Sequence, residues 1–170
     1  TAVPVPQMLH LSGEDSPLGA QFLVMEHLEG RVFWDPALPE QSPKFRQDAY
    51  HALVQTLAAL HDVDPQAVGL ADFGKPGNYF SRQVSRWTGQ YRACETQSRP
   101  DMDWTIDWLD RNMVQDDGQI AIVHGDYRLD NVMFDAKTPD MIAVLDWELS
   151  TLGHPFADLA YQCMGLRLPP

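Results

Sequence analysis

Two stretches carry oxygen-bearing side chains at a spacing that invites chemistry: VHGDYRLDNVMFD at residues 123–135 and LDWE at residues 145–148. The first is too polar for a core and too ordered for a linker. Gly125 can adopt backbone angles closed to other residues, so a tight turn is expected there. Asp126 then projects from the loop, and Asn131 opens the next short strand. Asp146 falls at the end of a neighbouring strand-like run. An aspartate and an asparagine at the mouth of one β patch suit a hard divalent ion such as Mg²⁺, which keeps several waters and shares phosphate oxygens. The remaining carboxylate, Asp126, can accept a proton from a hydroxyl or orient it for attack. One residue to direct a nucleophile and two to hold a metal on phosphates form a minimal set for moving a phosphoryl group.

The elements that must position these residues are legible from turn chemistry and periodicity. Residues 3–11 read as an extended segment, because Pro4 and Pro6 push their predecessors away from helix. The turn SGEDSPLG and the apolar run in QFLVMEHLEG complete a hairpin that runs into a linker, and residues 31–41 read as irregular. Ser42-Pro43 starts a helix whose Phe45, Ala49, Ala52, Leu53, Leu57 and Leu60 recur at helical spacing until Asp64-Pro65. Further helices are expected near 79–95 and 102–113. Their aromatic residues Phe80, Trp87, Tyr91, Trp104 and Trp108 read as packing residues, since large aromatics dominate cores. Three short β runs follow at 120–123, 131–134 and 142–146, and a last helix starts after Pro155. The expected class is α+β: a helical body with one small β patch carrying the polar residues, and a hairpin at the N-terminus.

Composition narrows the functions. The 170 residues carry a formal net charge of −12, which repels phosphate backbones and anionic lipids, so neither nucleic acid nor a membrane surface is an expected partner. The two cysteines, Cys94 and Cys163, are far apart and lack metal-type neighbours. They read as buried thiols in a reducing, cytoplasmic setting. No apolar stretch reaches membrane-spanning length. The start TAVPVPQML has neither signal-peptide character nor an initiator Met, so the chain reads as a piece of something longer.

The spacing of Asp126 and Asn131, followed by Asp146, matches the protein-kinase catalytic loop and its metal-binding aspartate. With FLVMEHLEG, LAALHDVDP and VLDWELSTLGHPFADLA, the chain resembles the aminoglycoside phosphotransferase-like, choline-kinase-related small-molecule kinases over nearly its whole length. DWELSTLG is most similar to the kinase-like domains associated with acyl-CoA dehydrogenases. The resemblance implies a protein-kinase-like C-terminal lobe over residues 31–170. It implies a remnant of the N-terminal lobe and hinge over residues 1–30, most of that lobe being absent. Asp126 would be the catalytic aspartate, and Asn131 and Asp146 the magnesium ligands. Glu26, His27 and Leu28 would be hinge residues receiving ATP through their backbone. His124 and Asp158 would support the catalytic loop. The family often has Gly-Asp-Pro where this chain has Gly153-His154-Pro155, so no role transfers to His154.

Residues 1–21 contain no Lys or Arg, so nothing there supplies the lysine and phosphate-covering loop that such kinases use. Two expectations follow. One is an ATP- and Mg²⁺-dependent phosphotransferase acting on a small-molecule hydroxyl acceptor. The other is a truncated kinase-fold module without catalytic activity, serving as a binding or regulatory domain. A weaker alternative, a metal-dependent phosphoester hydrolase, would need histidines converging on one metal. An unpaired hairpin edge at the N-terminus would favour self-association.

Overall fold

The computed structural model describes residues 2–165 and residue 167. Its element order begins with strands β1 (Met8–Leu11), β2 (Leu23–Met25) and β3 (Gly30–Arg31). Helices α1 (Pro43–His61), α2 (Tyr79–Cys94) and α3 (Pro100–Arg111) follow. Strands β4 (Ala121–Val123), β5 (Val132–Asp135), β6 (Met141–Val144) and β7 (Thr151–Gly153) then lead to helix α4 (Phe156–Met164). The class is mixed α+β, as expected. Helix α1 starts where the sequence says it must: the Ser42 hydroxyl accepts the Phe45 amide at 3.1 Å and Pro43 occupies the first turn.

Ala49, Leu53, Leu57 and Leu60 form the buried stripe of α1. They join Ile122, Leu129, Val132, Phe134, Val144 and Leu152 in one core cluster. This apolar contact fixes the β segments against the helix, since burial of such side chains is the main favourable contribution to folding.

The expected single β patch is two sheets. Strand β4 pairs antiparallel with β7, while β3, β5 and β6 form a separate antiparallel sheet in that order. The polar segment between β4 and β5 therefore passes from one sheet to the other. Both sheets contain a strand that the sequence does not announce. Gly30–Arg31 lies where the sequence reads as the end of the hairpin and its irregular linker, and Thr151–Gly153 is too short to show alternation. Each exists because a distant strand completes its hydrogen bonding. In β3, the Arg31 side chain adds its own bonds to the Asp135 and Thr138 carbonyls at 3.0 and 3.1 Å.

Two further expectations are corrected. The aromatic faces of α2 and α3 do not enter the core: neither helix has a buried residue, and Trp87, Trp104 and Trp108 are exposed. Helical spacing defines a face but not what that face meets. Cys94 and Cys163 are both exposed free thiols rather than buried ones; Cys94 lies on α2, whose every turn faces solvent at least in part. The hairpin forms with β1 antiparallel to β2, and the Val144 amide donates to the Pro4 carbonyl at 2.8 Å, tying the extended N-terminal segment to β6.

Candidate active site

The loop between β4 and β5 is held in place from below by one carboxylate. Asp158, on α4 and 1% exposed, accepts the main-chain amides of His124 and Gly125, each at 2.8 Å. His61, at the end of α1, adds a bond from Nε2 at 3.1 Å. Three donors on one buried carboxylate are what its burial requires. Gly125 has φ +86°. A Cβ there would sit 2.6 Å from the Leu149 carbonyl oxygen, so both the backbone angle and the space demand glycine.

His124 is fully buried. Its Nε2 donates to the Leu145 carbonyl at 2.7 Å, and its Nδ1 accepts the Asp126 amide at 3.3 Å. Both ring nitrogens are occupied, so the ring links β6 to the loop and has no site left for proton transfer. Tyr127, equally buried, donates its hydroxyl to the Leu53 carbonyl of α1 at 2.9 Å. Burial, then the nearby Asp158 charge, holds the Tyr127 phenol well above its usual range.

Asp126 and Asn131 meet directly. The Asn131 amide nitrogen donates to the Asp126 main-chain oxygen at 2.9 Å and to its carboxylate Oδ2 at 2.8 Å. Asn131 ends a 3-10 turn over Leu129–Asn131. Asp146 is two residues beyond β6, and the Leu145 amide before it donates to the Asn131 carbonyl at 2.9 Å. The chain reverses there, with Asp146 at φ 60° and ψ 63°, a left-handed conformation that aspartate tolerates better than most residues. The structure thus brings Asp126 and Asn131 into direct contact, and Asp146 directly follows a residue whose amide is bonded to Asn131.

Their donor chemistry fits a hard divalent cation. Asn131 spends its amide nitrogen on Asp126, while its Oδ1 accepts no hydrogen bond among the described residues. The Asp146 carboxylate is exposed to solvent, with no ion pair among the described residues. These uncommitted oxygens would leave room for water and phosphate oxygens around a magnesium ion. Among the described residues no three His, Cys, Asp or Glu side chains converge to cage a metal. That arrangement is the one the hydrolase alternative required.

The third edge of Asp126 faces Arg128, whose Nε is 3.8 Å from Oδ1. Asp130 holds that guanidinium through both carboxylate oxygens, which strengthens its hold on the proton. Asp130 thereby anchors the cation beside Asp126. Arg128 and His61 are contributions that sequence reasoning missed. Their signals are present but weak: Arg128 lies two residues past Asp126, and His61 falls in the LAALHDVDP stretch as the last residue of α1.

The hinge residues stand apart. Glu26 is committed to the hairpin, its amide donating to the Gln7 carbonyl and its Oε1 accepting the Gln7 amide, both at 2.9 Å. His27 and Leu28 make no main-chain hydrogen bond among the described residues. No hydrogen bond joins residues 26–28 to the loop among the described residues. Their link is through β3, which begins two residues after Leu28 and pairs with β5. His154 is buried and bonded to Asp117 at 3.1 Å, tying the segment before β4 to the start of α4.

Comparison with known proteins places this geometry in context. The family model described as "Phosphotransferase enzyme family" matches residues 1–169. The chain is 47% identical over 167 residues to acyl-CoA dehydrogenase family member 10 of Mus musculus, covering 98% of this chain and 16% of the relative. It is 42% identical over 171 residues to the probable acyl-CoA dehydrogenase IBR3 of Arabidopsis thaliana, covering 96% of this chain and 21% of that protein. A solved structure from Ralstonia eutropha, described as a candidate aminoglycoside phosphotransferase, superposes with a TM-score of 0.92 at 52% identity. It covers all of this chain and 52% of its own. A thermostable mutant of aminoglycoside phosphotransferase APH(4)-Ia, in complex with ADP and hygromycin B, shares the fold at a TM-score of 0.69 and 15% identity, over 94% of this chain and 55% of its own. The chain thus spans about half the length of these structures and about a fifth or less of these curated relatives.

Proposed function

The chain belongs to the phosphotransferase enzyme family, and from that premise we propose that it moves the γ-phosphoryl group of ATP to the hydroxyl of a small molecule, with Mg²⁺ as cofactor. One observation carries the reading: Asn131 bonds the Asp126 carboxylate at 2.8 Å through its side chain and the Leu145 amide at 2.9 Å through its carbonyl. These two bonds support reading Asp126 as the proton acceptor, with Asn131 and Asp146 as oxygen ligands beside it.

Asp126 takes the proton of the acceptor hydroxyl as its oxygen forms a bond to the γ-phosphorus. The bond from that phosphorus to the bridging oxygen of ADP breaks on the opposite side. Asn131 and Asp146 would hold the metal, which would supply positive charge to the phosphate oxygens. His124 and Asp158 keep the loop in the conformation that aims Asp126, so little reorganisation is needed when substrate arrives. The Glu26 carbonyl and the main-chain groups of His27 and Leu28, which make no main-chain hydrogen bond among the described residues, would receive the adenine edge. The two curated relatives above carry acyl-CoA dehydrogenase in their names, which makes a hydroxyacyl compound the acceptor class to test first, with an aminoglycoside beside it.

The test is phosphoryl transfer from γ-labelled ATP with each acceptor class. Asp126→Asn is expected to lower turnover by about 100-fold or more, the range that positioned proton transfer contributes, while leaving thermal unfolding little changed. Unchanged turnover in that variant would show that Asp126 is not the proton acceptor.

A further inference from the structure

We infer that Arg128 is a catalytic residue of the proposed reaction, its guanidinium touching the oxygens of the γ-phosphoryl group in transit. The inference rests on the function proposed above and adds to it a positive charge supplied by the chain itself.

The first observation is how the guanidinium is divided. Asp130 takes the edge made by Nε and Nη2, through both of its carboxylate oxygens. A guanidinium carries five N–H donors in a planar fork. The edge made by Nη1 and the second hydrogen of Nη2 has no acceptor among the described residues. Such an edge can hold two oxygens of one phosphate side by side. The Asp130 side chain is 14% exposed and that of Arg128 48%, so the pair is anchored at its acid and open at its cation. An ion pair that open adds little to stability, and the fold alone does not call for it.

The second is location. Arg128 Nε lies 3.8 Å from Asp126 Oδ1. The other oxygen, Oδ2, accepts the Asn131 amide nitrogen, while Oδ1 accepts no hydrogen bond among the described residues. An acceptor hydroxyl therefore meets Asp126 at Oδ1, on the Arg128 side. The γ-phosphorus bonds that same hydroxyl oxygen, so the phosphoryl group passes within reach of the free edge. The third is charge. Asp126 and Asp130 are carboxylates, and a nucleotide brings more negative charge to them. Arg128 is the one Lys or Arg between residues 112 and 136. Among the described residues it is also the one cationic side chain paired with the Asp126 carboxylate.

In the step itself, the acceptor oxygen bonds the γ-phosphorus, its proton passes to Asp126, and the bridging oxygen leaves on ADP with its electron pair. Arg128 exchanges no atom. It offsets the negative charge that the three phosphoryl oxygens keep throughout, and Asp130 holds it ready, so little freedom is lost at that moment.

Two measurements on the 170-residue chain decide the matter. In the transfer assay at saturating ATP, Arg128→Met is expected to lower kcat about 100-fold or more, the scale of one donor aimed at transition-state charge. KM for the acceptor should stay within about threefold. Arg128→Lys keeps the charge and loses the fork, and should recover part of the loss. Unchanged kcat overturns the inference. So does a rise in acceptor KM alone, which would make Arg128 a reader of the acceptor. The second measurement needs no turnover. Titration calorimetry compares Mg·ATP with Mg·ADP, which differ by the γ-phosphoryl group. Arg128→Met should weaken ATP about tenfold, the scale of one hydrogen bond to a charged group, and leave ADP unchanged. Equal effects on the two nucleotides overturn the contact, and binding of neither by the wild-type chain overturns both the contact and the proposed function. An ATP-selective loss without transfer by the wild-type chain counts against the proposed function alone.

Discussion

Tyr127 shows how the candidate site and the core depend on the same side chains. Its ring is wholly buried, next to Asp126, the proposed proton acceptor, and its hydroxyl reaches α1 at Leu53. The phenol pKa is raised by burial and then by Asp158. A raised acid group binds its proton more tightly in the folded state. Its contribution is therefore complete below about pH 10, the unfolded value, and declines as pH rises through the folded one. We expect urea unfolding to show stability falling above about pH 10. Tyr127→Phe should lose about 1 kcal/mol at neutral pH, through the missing hydrogen bond, and show a shallower alkaline decline. Equal alkaline slopes in the two proteins would mean that Tyr127 does not carry this dependence. Among single residues, the sequence exposed those whose type is rare at its position, such as Gly125, Asp126, Asn131 and Asp146. It hid those whose importance comes from a distant partner. His61 and Arg128 are ordinary in their own stretches and acquire meaning only through Asp158 and Asp130.

Element by element, legibility followed how local the determinants are. Helix α1 was readable at both ends because Ser42-Pro43 and Asp64-Pro65 act through neighbouring backbone. Strands β3 and β7 were not, since three residues or fewer carry no period and their hydrogen bonds come from residues about 30 to 105 positions away. The aromatic faces of α2 and α3 were found but wrongly assigned to the core, because spacing cannot say whether a face is covered. The hairpin is the element with most left open. Neither face of β1 or β2 is buried, and Leu9, Leu11 and Leu23 are exposed. A two-stranded sheet leaves an unpaired edge on each strand and is marginal alone. We propose that copies of the chain associate through these edges. Sedimentation velocity should show a concentration-dependent species that Leu11→Lys together with Leu23→Lys abolishes; identical profiles for both proteins would place association elsewhere or deny it.

Across the whole molecule, two small sheets and the buried stripe of α1 converge on the loop that holds Asp126 and Asn131. The core cluster of α1 supports the strands on either side of that loop, and α4 closes it from below through Asp158. No helix among the described residues is long and apolar enough to cross a membrane. The catalytic-type loop was legible because its spacing repeats a known arrangement; the passage from one sheet to the other was not, because nothing local records which strands pair. The central claim is that Asn131 and Asp146 hold one cation on nucleotide phosphates beside Asp126. Paramagnetic broadening by Mn²⁺ with ATP, read in the amide spectrum of the chain, tests it most directly. Signals of residues 126, 131 and 146 should broaden first and saturably, and Asp146→Asn should weaken the effect at all three. Broadening spread over the acidic surface, indifferent to that substitution, would contradict the account.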